Sequence, residues 1–271
     1  MKVAFQGEPG AFSEEACRGY FGTVDTLPCE TFDDVFEAVA RGTCESGLVP
    51  IENSLAGSIH QNYDLLLHNK LFIVGETFLR VHHCLIAFPG VRKEEIQKVI
   101  SHPQALGQCA NTLRGMGVKI EPVYDTAGSV KMLKASGERT VAAVASRRAA
   151  KIYGMQVVQE GIEDNQENFT RFLAIAPVAV IPQGEAKTSI VFTLKNQPGA
   201  LFKALSVFAL REIDLTKIES RPLAGKPWEY LFYIDFIGSL QAEPVKKALD
   251  HLSEYALMLR DFGSYPRASA I

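Results

Sequence analysis

Ala176-Pro177-Val178-Ala179-Val180-Ile181-Pro182-Gln183-Gly184-Glu185 divides the chain. Two prolines and a glycine in this stretch interrupt any regular element, and the pattern changes across it, so it reads as a linker. On its N-terminal side, short apolar runs alternate with stretches of helical periodicity. Residues 2–6, 46–51, 72–76, 83–88, 98–100, 118–124 and 140–145 read as strands. Residues 13–20, 32–41, 57–68, 104–114, 128–135 and 147–153 read as helices, the second capped by Thr31. This alternation predicts an α/β fold with largely parallel sheets. Two strands with little between them around Leu79–His83 signal entry into a second lobe. The expected first domain is therefore 1–178, with its second lobe at about 81–155. On the C-terminal side, 188–194, 215–219, 229–236 and 257–262 read as strands, and 200–210 and 244–255 as helices. That order, βαββαβ within 187–267, predicts a ferredoxin-like domain.

The 271 residues are 47% hydrophobic and 22% charged, as in an ordinary globular protein. A net charge of -3 argues against nucleic acid, since no excess of cations is available for phosphates. No apolar run suits a bilayer, and the start runs straight into a strand pattern without a secretion signal, so no membrane partner and a cytoplasmic location are expected. The five cysteines are scattered and odd in number, which fits reduced thiols. His82 and His83 are adjacent and would point to opposite faces of a strand, so they cannot chelate one ion together. No metal is expected.

Ligands of open α/β sheets bind beyond the carboxyl ends of the strands. Small polar residues gather there: Ser13 after Gln6–Gly10, Asn53 and Ser54 after Pro50, Ser101 and Gln104 after Ile100, and Thr126 and Ser129 after Tyr124. Helix N-termini at such places present free N–H groups to an anion. Each residue alone is equally an ordinary helix cap. Together they describe a cleft for a small anion, with no reaction specified. Within Asn168-Phe169-Thr170-Arg171-Phe172-Leu173, strand alternation would put Asn168, Thr170 and Phe172 on one face and Arg171 on the other.

Thr170-Arg171-Phe172 preceded by Asn168 resembles the Thr-Arg-Phe signature of prephenate dehydratases. Pro50-Ile51-Glu52-Asn53-Ser54, Ser101-His102-Pro103-Gln104-Ala105-Leu106 and Gln6-Gly7 through Ser13 resemble three further blocks of that family. Gly199-Ala200-Leu201 and Glu219-Ser220-Arg221-Pro222 resemble the phenylalanine-binding motifs of its ACT-type regulatory domain. The resemblance covers essentially the whole chain. It implies a two-lobed catalytic domain like that of periplasmic binding proteins, followed by the ACT domain. It also implies the reaction: prephenate loses its ring hydroxyl as water and its ring carboxylate as carbon dioxide, giving phenylpyruvate on the way to phenylalanine. Aromatisation drives this, so no cofactor is expected.

By the same resemblance, Thr170 assists departure of the hydroxyl. Asn53, Ser54, Ser101, Gln104, Thr126, Ser129, Asn168 and Phe172 are candidates for holding the substrate. Arg171 either grips a carboxylate or supports the site from behind. Asn196, Gly199, Ala200, Leu201, Glu219, Ser220, Arg221 and Pro222 would bind L-phenylalanine, the second motif supplied by a partner subunit, which implies a homodimer or homotetramer. Two rival readings stand beside this one. One is the same chemistry on arogenate, the amino analogue; the other is a non-catalytic anion-binding protein.

Overall fold

The structure is a computed structural model and describes residues 1–223, 225–226 and 228–268. It divides into two compact units, residues 1–63 with 77–172, and residues 64–76 with 173–271. The chain begins with β1 (Lys2–Gln6), α1 (Phe12–Phe21), β2 (Asp25–Cys29), α2 (Phe32–Ala40), β3 (Ser46–Asn53), a short β4 (Gly57–Ser58), α3 (His60–His68) and β5 (Phe72–Arg80). There follow β6 (Cys84–Ala87), β7 (Lys98–Ser101), α4 (Pro103–Gln108), α5 (Ala110–Met116), β8 (Lys119–Pro122), α6 (Thr126–Ser136), β9 (Val141–Ala145), α7 (Arg147–Tyr153), β10 (Gln156–Glu160) and β11 (Phe169–Ala176).

Strands β1 to β11 form two sheets. One has strand order β2-β1-β3-β11-β5, with β4 paired to β3. The other runs β10-β6-β9-β7-β8. In the first, β1 pairs parallel with both β2 and β3. The second departs from the parallel expectation. β7 joins β8 and β9 in parallel, but β6 is antiparallel to both β9 and β10. The reason is the connection. β6 follows β5 with no crossover helix to restore the chain direction. The central β9, Val-Ala-Ala-Val-Ala, is buried along its whole length, as a strand covered on both faces must be. A core of Leu85, Val99, Leu106, Leu113, Ala142 and Val144 joins that sheet to its helices.

Local chemistry sets the helix starts. Thr31 and Asp34 form a reciprocal capping box on α2, and Asp125 and Ser146 cap α6 and α7. Two expected helices change. The stretch 57–68 begins as β4, because Gly57 at φ 80° closes a tight return onto Asn53. The stretch 104–114 breaks at Cys109 into α4 and α5. Asp164 makes that break: its N–H donates to the Gln108 carbonyl, and its carboxylate accepts from Asn111 N–H at 3.1 Å.

The second unit contains β12 (Ala186–Leu194), α8 (Ala200–Ala209), β13 (Leu215–Pro222), β14 (Tyr230–Ile237), α9 (Glu243–Tyr255) and β15 (Ala256–Pro266). Its sheet order is β13-β14-β12-β15, with the pairings of β12 to β14 and β15, and of β13 to β14, antiparallel. This is the ferredoxin-like order. Phe192, Phe208, Ile234, Phe236 and Leu252 pack the two helices on one face of the sheet. No helix among the described residues is long and apolar enough to cross a membrane.

Candidate active site

A cavity of about 380 Å³ lies in the first unit, walled by segments that follow strands of both its sheets. Gln6 ends β1, Phe12 and Ser13 come after it, and Asn53 ends β3. His102, Gln104 and Gln108 come after β7; Tyr124, Asp125 and Thr126 follow β8; Thr170 and Phe172 belong to β11. None of the described wall residues is a lysine or arginine. Helices α1, α2 and α6 begin at the wall residues Phe12, Phe32 and Thr126, which places the positive ends of three helix dipoles at the cavity. Asp125, the one carboxyl among the described wall residues, has its pKa pushed upward by burial, against the pull of N–H groups of Gly128, Glu8 and Thr126.

A chain of amides fixes the polar groups. The Asn53 carbonyl oxygen accepts from the N–H groups of Leu55 (3.1 Å) and Ala56 (2.9 Å) in the β3–β4 turn. The amide orientation of Asn53 is thereby decided, and its Nδ2 is a donor. That nitrogen donates to Asn168 Oδ1 at 2.8 Å and to Thr170 Oγ1 at 3.0 Å. Asn168 Nδ2 then donates to Gln108 Oε1 at 3.1 Å, which also meets His83 Nε2 at 2.8 Å. Thr170 thus receives a hydrogen bond through its oxygen. Its own O–H has no acceptor among the described residues and is left for a ligand.

The loop after β1 is held against the second sheet's helices. Gly10 stands at φ 95°, and a Cβ there would meet Ala149 Cα at 2.7 Å, so any larger residue would push the loop out. Gly10 N–H donates to the buried Glu14, which also takes Arg18 and a two-nitrogen grip from Arg148. Burial alone would raise the Glu14 pKa; Arg148, the Gly10 N–H and Arg18 outweigh it and bring it down to about 2. Across the loop, Ser146 Oγ donates to the Gly10 carbonyl at 2.6 Å. At the rim, Tyr124 donates to Glu8, which Lys131 also holds. Gly128 makes room for that phenol: a Cβ would lie 2.5 Å from the Tyr124 ring.

The structure brings Asn53, Gln104, Thr126, Thr170 and Phe172 to the cavity wall and leaves the other expected substrate residues behind it. Ser101 is fully buried and donates to the Val144 carbonyl at 2.6 Å. Ser129 turns back on its own helix to the Thr126 carbonyl. Ser54 accepts from Phe169 N–H and donates to Glu167 O, anchoring the start of β11. Asn168 is buried and acts through Asn53 and Gln108. Arg171 is buried and absent from the wall, since its two neighbours on β11 face the cavity. His83, Gln108, Tyr124 and Asp125 were not foreseen. Their contacts join positions far apart in the chain, although Gln108 stands one helical turn from Gln104. His82 and His83 diverge as expected, one to Glu163 and the other to Gln108.

In the second unit, Asn196, Gly199, Ala200 and Leu201 follow β12, and Glu219–Pro222 end β13. Arg221 pairs with Leu231, which pairs with Thr193, so the two segments lie at the same end of the sheet within one chain. Gly199 adopts φ 78° as the N-cap of α8, Asn196 donates to Trp228 O, and Arg221 pairs with Asp64.

The chain thus joins a domain with a small-molecule cavity, in which the Thr170 hydroxyl is positioned by Asn53, to a βαββαβ domain. The family model described as prephenate dehydratase matches residues 3–179, and the ACT domain model matches 188–253. An Arabidopsis thaliana arogenate dehydratase/prephenate dehydratase is 51% identical over 98% of this chain and 73% of its own. A Petunia hybrida arogenate dehydratase is 47% identical over all of this chain and 73% of its own. The crystal structure of the Arthrobacter aurescens prephenate dehydratase in complex with L-Phe matches with a TM-score of 0.91 at 30% identity, over 98% of this chain and 90% of that one. The structure of GqqA, described as a quorum-quenching acylase, matches with a TM-score of 0.92 at 36% identity, over 99% and 98%. The chain belongs to the prephenate dehydratase family, with an ACT domain, and is a hydro-lyase.

Proposed function

We propose that this enzyme converts prephenate to phenylpyruvate with Thr170 as the donor to the departing oxygen. The observation that carries the reading is the hydrogen bond that Asn53 donates to Thr170 Oγ1: the threonine O–H has no acceptor among the described residues and is available to a ligand. As the ring carboxylate leaves as carbon dioxide, its bonding electrons enter the ring and the C4–oxygen bond breaks. Charge then grows on the leaving oxygen, where a positioned O–H stabilises it most. A threonine is a weak acid, so its contribution is placement, with water as the final proton source. The three helix N-termini and the cavity amides hold the two carboxylates.

Arogenate is the second reading, favoured by the names of the plant relatives. It differs only in bearing an ammonium in place of the keto group, and side-by-side kcat/KM on the two substrates decides between them. Regulation follows from the second unit: L-phenylalanine binds at the segments Asn196–Leu201 and Glu219–Pro222, prefers the less active conformation and lowers flux. A homodimer or homotetramer in the cytoplasm is the setting we assign. Phenylpyruvate formation, followed by ultraviolet absorbance with and without L-phenylalanine, tests the activity and its feedback. Absence of product from both prephenate and arogenate would refute the reading.

A further inference from the structure

His83 is 2% exposed and lines the cavity, yet its Nδ1 is buried with no hydrogen-bond partner among the described residues. The tautomer of this ring follows from the amide chain. Two backbone N–H groups set Asn53, Asn53 sets Asn168, and Asn168 sets Gln108 with its oxygen toward His83. Gln108 Oε1 can only accept, so His83 Nε2 carries the hydrogen of their 2.8 Å bond. In the neutral ring Nδ1 is then a bare lone pair. Burial lowers the His83 pKa and so favours that neutral form, against Gln108 and Glu163, which pull it up. Leaving a buried acceptor empty is costly, and a ligand donor would remove that cost.

One amide chain therefore ends in two complementary groups. Thr170 offers a donor and His83 an acceptor. A hydroxyl is the group that matches both at once. Prephenate with both carboxylates ionised has a single O–H, the ring hydroxyl. Resting on the reaction proposed above, we infer that His83 is a positioning residue whose Nδ1 accepts the hydrogen of the substrate's ring hydroxyl. This contact turns a lone pair of the hydroxyl oxygen toward Thr170. Phe12 meets the imidazole in a T-shaped contact at 5.4 Å and lines the same cavity.

Two substitutions separate the ring nitrogens. His83→Asn places an amide where Nδ1 stands and loses the Gln108 contact, whereas His83→Gln keeps a donor to Gln108 and loses Nδ1. The expected result is a kcat/KM on prephenate at least tenfold lower for His83→Gln than for His83→Asn, with the loss mainly in kcat. Equal losses, or a greater loss in His83→Asn, would overturn the inference and reduce His83 to a prop for Gln108. The wild-type acid limb of kcat/KM should lie below the ordinary histidine range and vanish in His83→Asn; the groups around the ring are Glu163, which accepts from the His83 backbone N–H, and His82, which pairs with Glu163. An acid limb that persists would count against it. Should either variant fail to fold, the 15N spectrum of Thr170→Ala with prephenate provides the check. The His83 Nδ1 resonance should move from the free lone-pair position on binding, and an unmoved resonance would overturn the inference. Absence of turnover by the wild-type enzyme would remove the proposed reaction itself, a different outcome from active enzyme indifferent to His83.

Discussion

Asn53 Nδ2 lies 3.0 Å from Thr170 Oγ1, and because an amide nitrogen donates, the threonine oxygen is the acceptor. The direction of this bond decides where the Thr170 hydrogen can go. Asn53→Asp keeps the shape and reverses the direction: a carboxylate would take the Thr170 hydrogen away from the substrate. We expect kcat to fall on the order of 10²-fold, within the range of a positioned acid–base contact, with KM changing much less. Steady-state kinetics of the variant beside its melting temperature checks this.

Glu14 holds the loop after β1 through Gly10 and Arg148. Its folded pKa of about 2 lies below the unfolded value near 4.5, so its stabilisation is present above the unfolded value and is lost as pH falls from there toward about 2. Glu14→Gln should cost on the order of 2 kcal/mol at neutral pH, between an exposed and a fully buried ion pair. It should also flatten the decline in stability between about pH 4.5 and pH 2. Denaturant unfolding of both proteins across that window reads both effects.

Gly128 and Tyr124 are coupled by space, since a Cβ on Gly128 would sit 2.5 Å from the phenol ring. Gly128→Ala should evict Tyr124 from its bond with Glu8 and raise KM several-fold. In Gly128→Ala with Tyr124→Ala the clash is gone, and the pair should match Tyr124→Ala alone. Additive effects in this double-mutant cycle would contradict the coupling.

Gly199 occupies the left-handed region at φ 78° with open space where a Cβ would be. Gly199→Ala should therefore strain the loop by about 1 kcal/mol and weaken L-phenylalanine binding while leaving basal turnover intact. Calorimetric titration with L-phenylalanine, together with inhibition curves, measures the two separately.

Much of this was legible from residue order. The linker's prolines, the alternation before it and the βαββαβ order after it follow from periodicity and turn chemistry. Besides the two-residue β4, two longer strands escaped that reading. β2, Asp-Thr-Leu-Pro-Cys, is an edge strand that tolerates Pro28 and lacks apolar alternation. β10 is also an edge, irregular between Val157 and Gln159. The helix break at Cys109 depends on Asp164, far along the chain. The site divides in the same way. Thr170, Asn53 and Gln104 were readable from their motifs, whereas Ser101 and Ser129 spend their hydroxyls on nearby carbonyls, which no spacing reveals. His83 gained its meaning only from partners remote in sequence.

The most direct test is prephenate turnover by Thr170→Ser and Thr170→Val. Serine restores the O–H and should retain activity within about tenfold of wild type, whereas valine keeps the volume without the hydroxyl and should lose roughly 10²–10⁴-fold in kcat. A folded Thr170→Val enzyme with near-normal kcat would contradict the account.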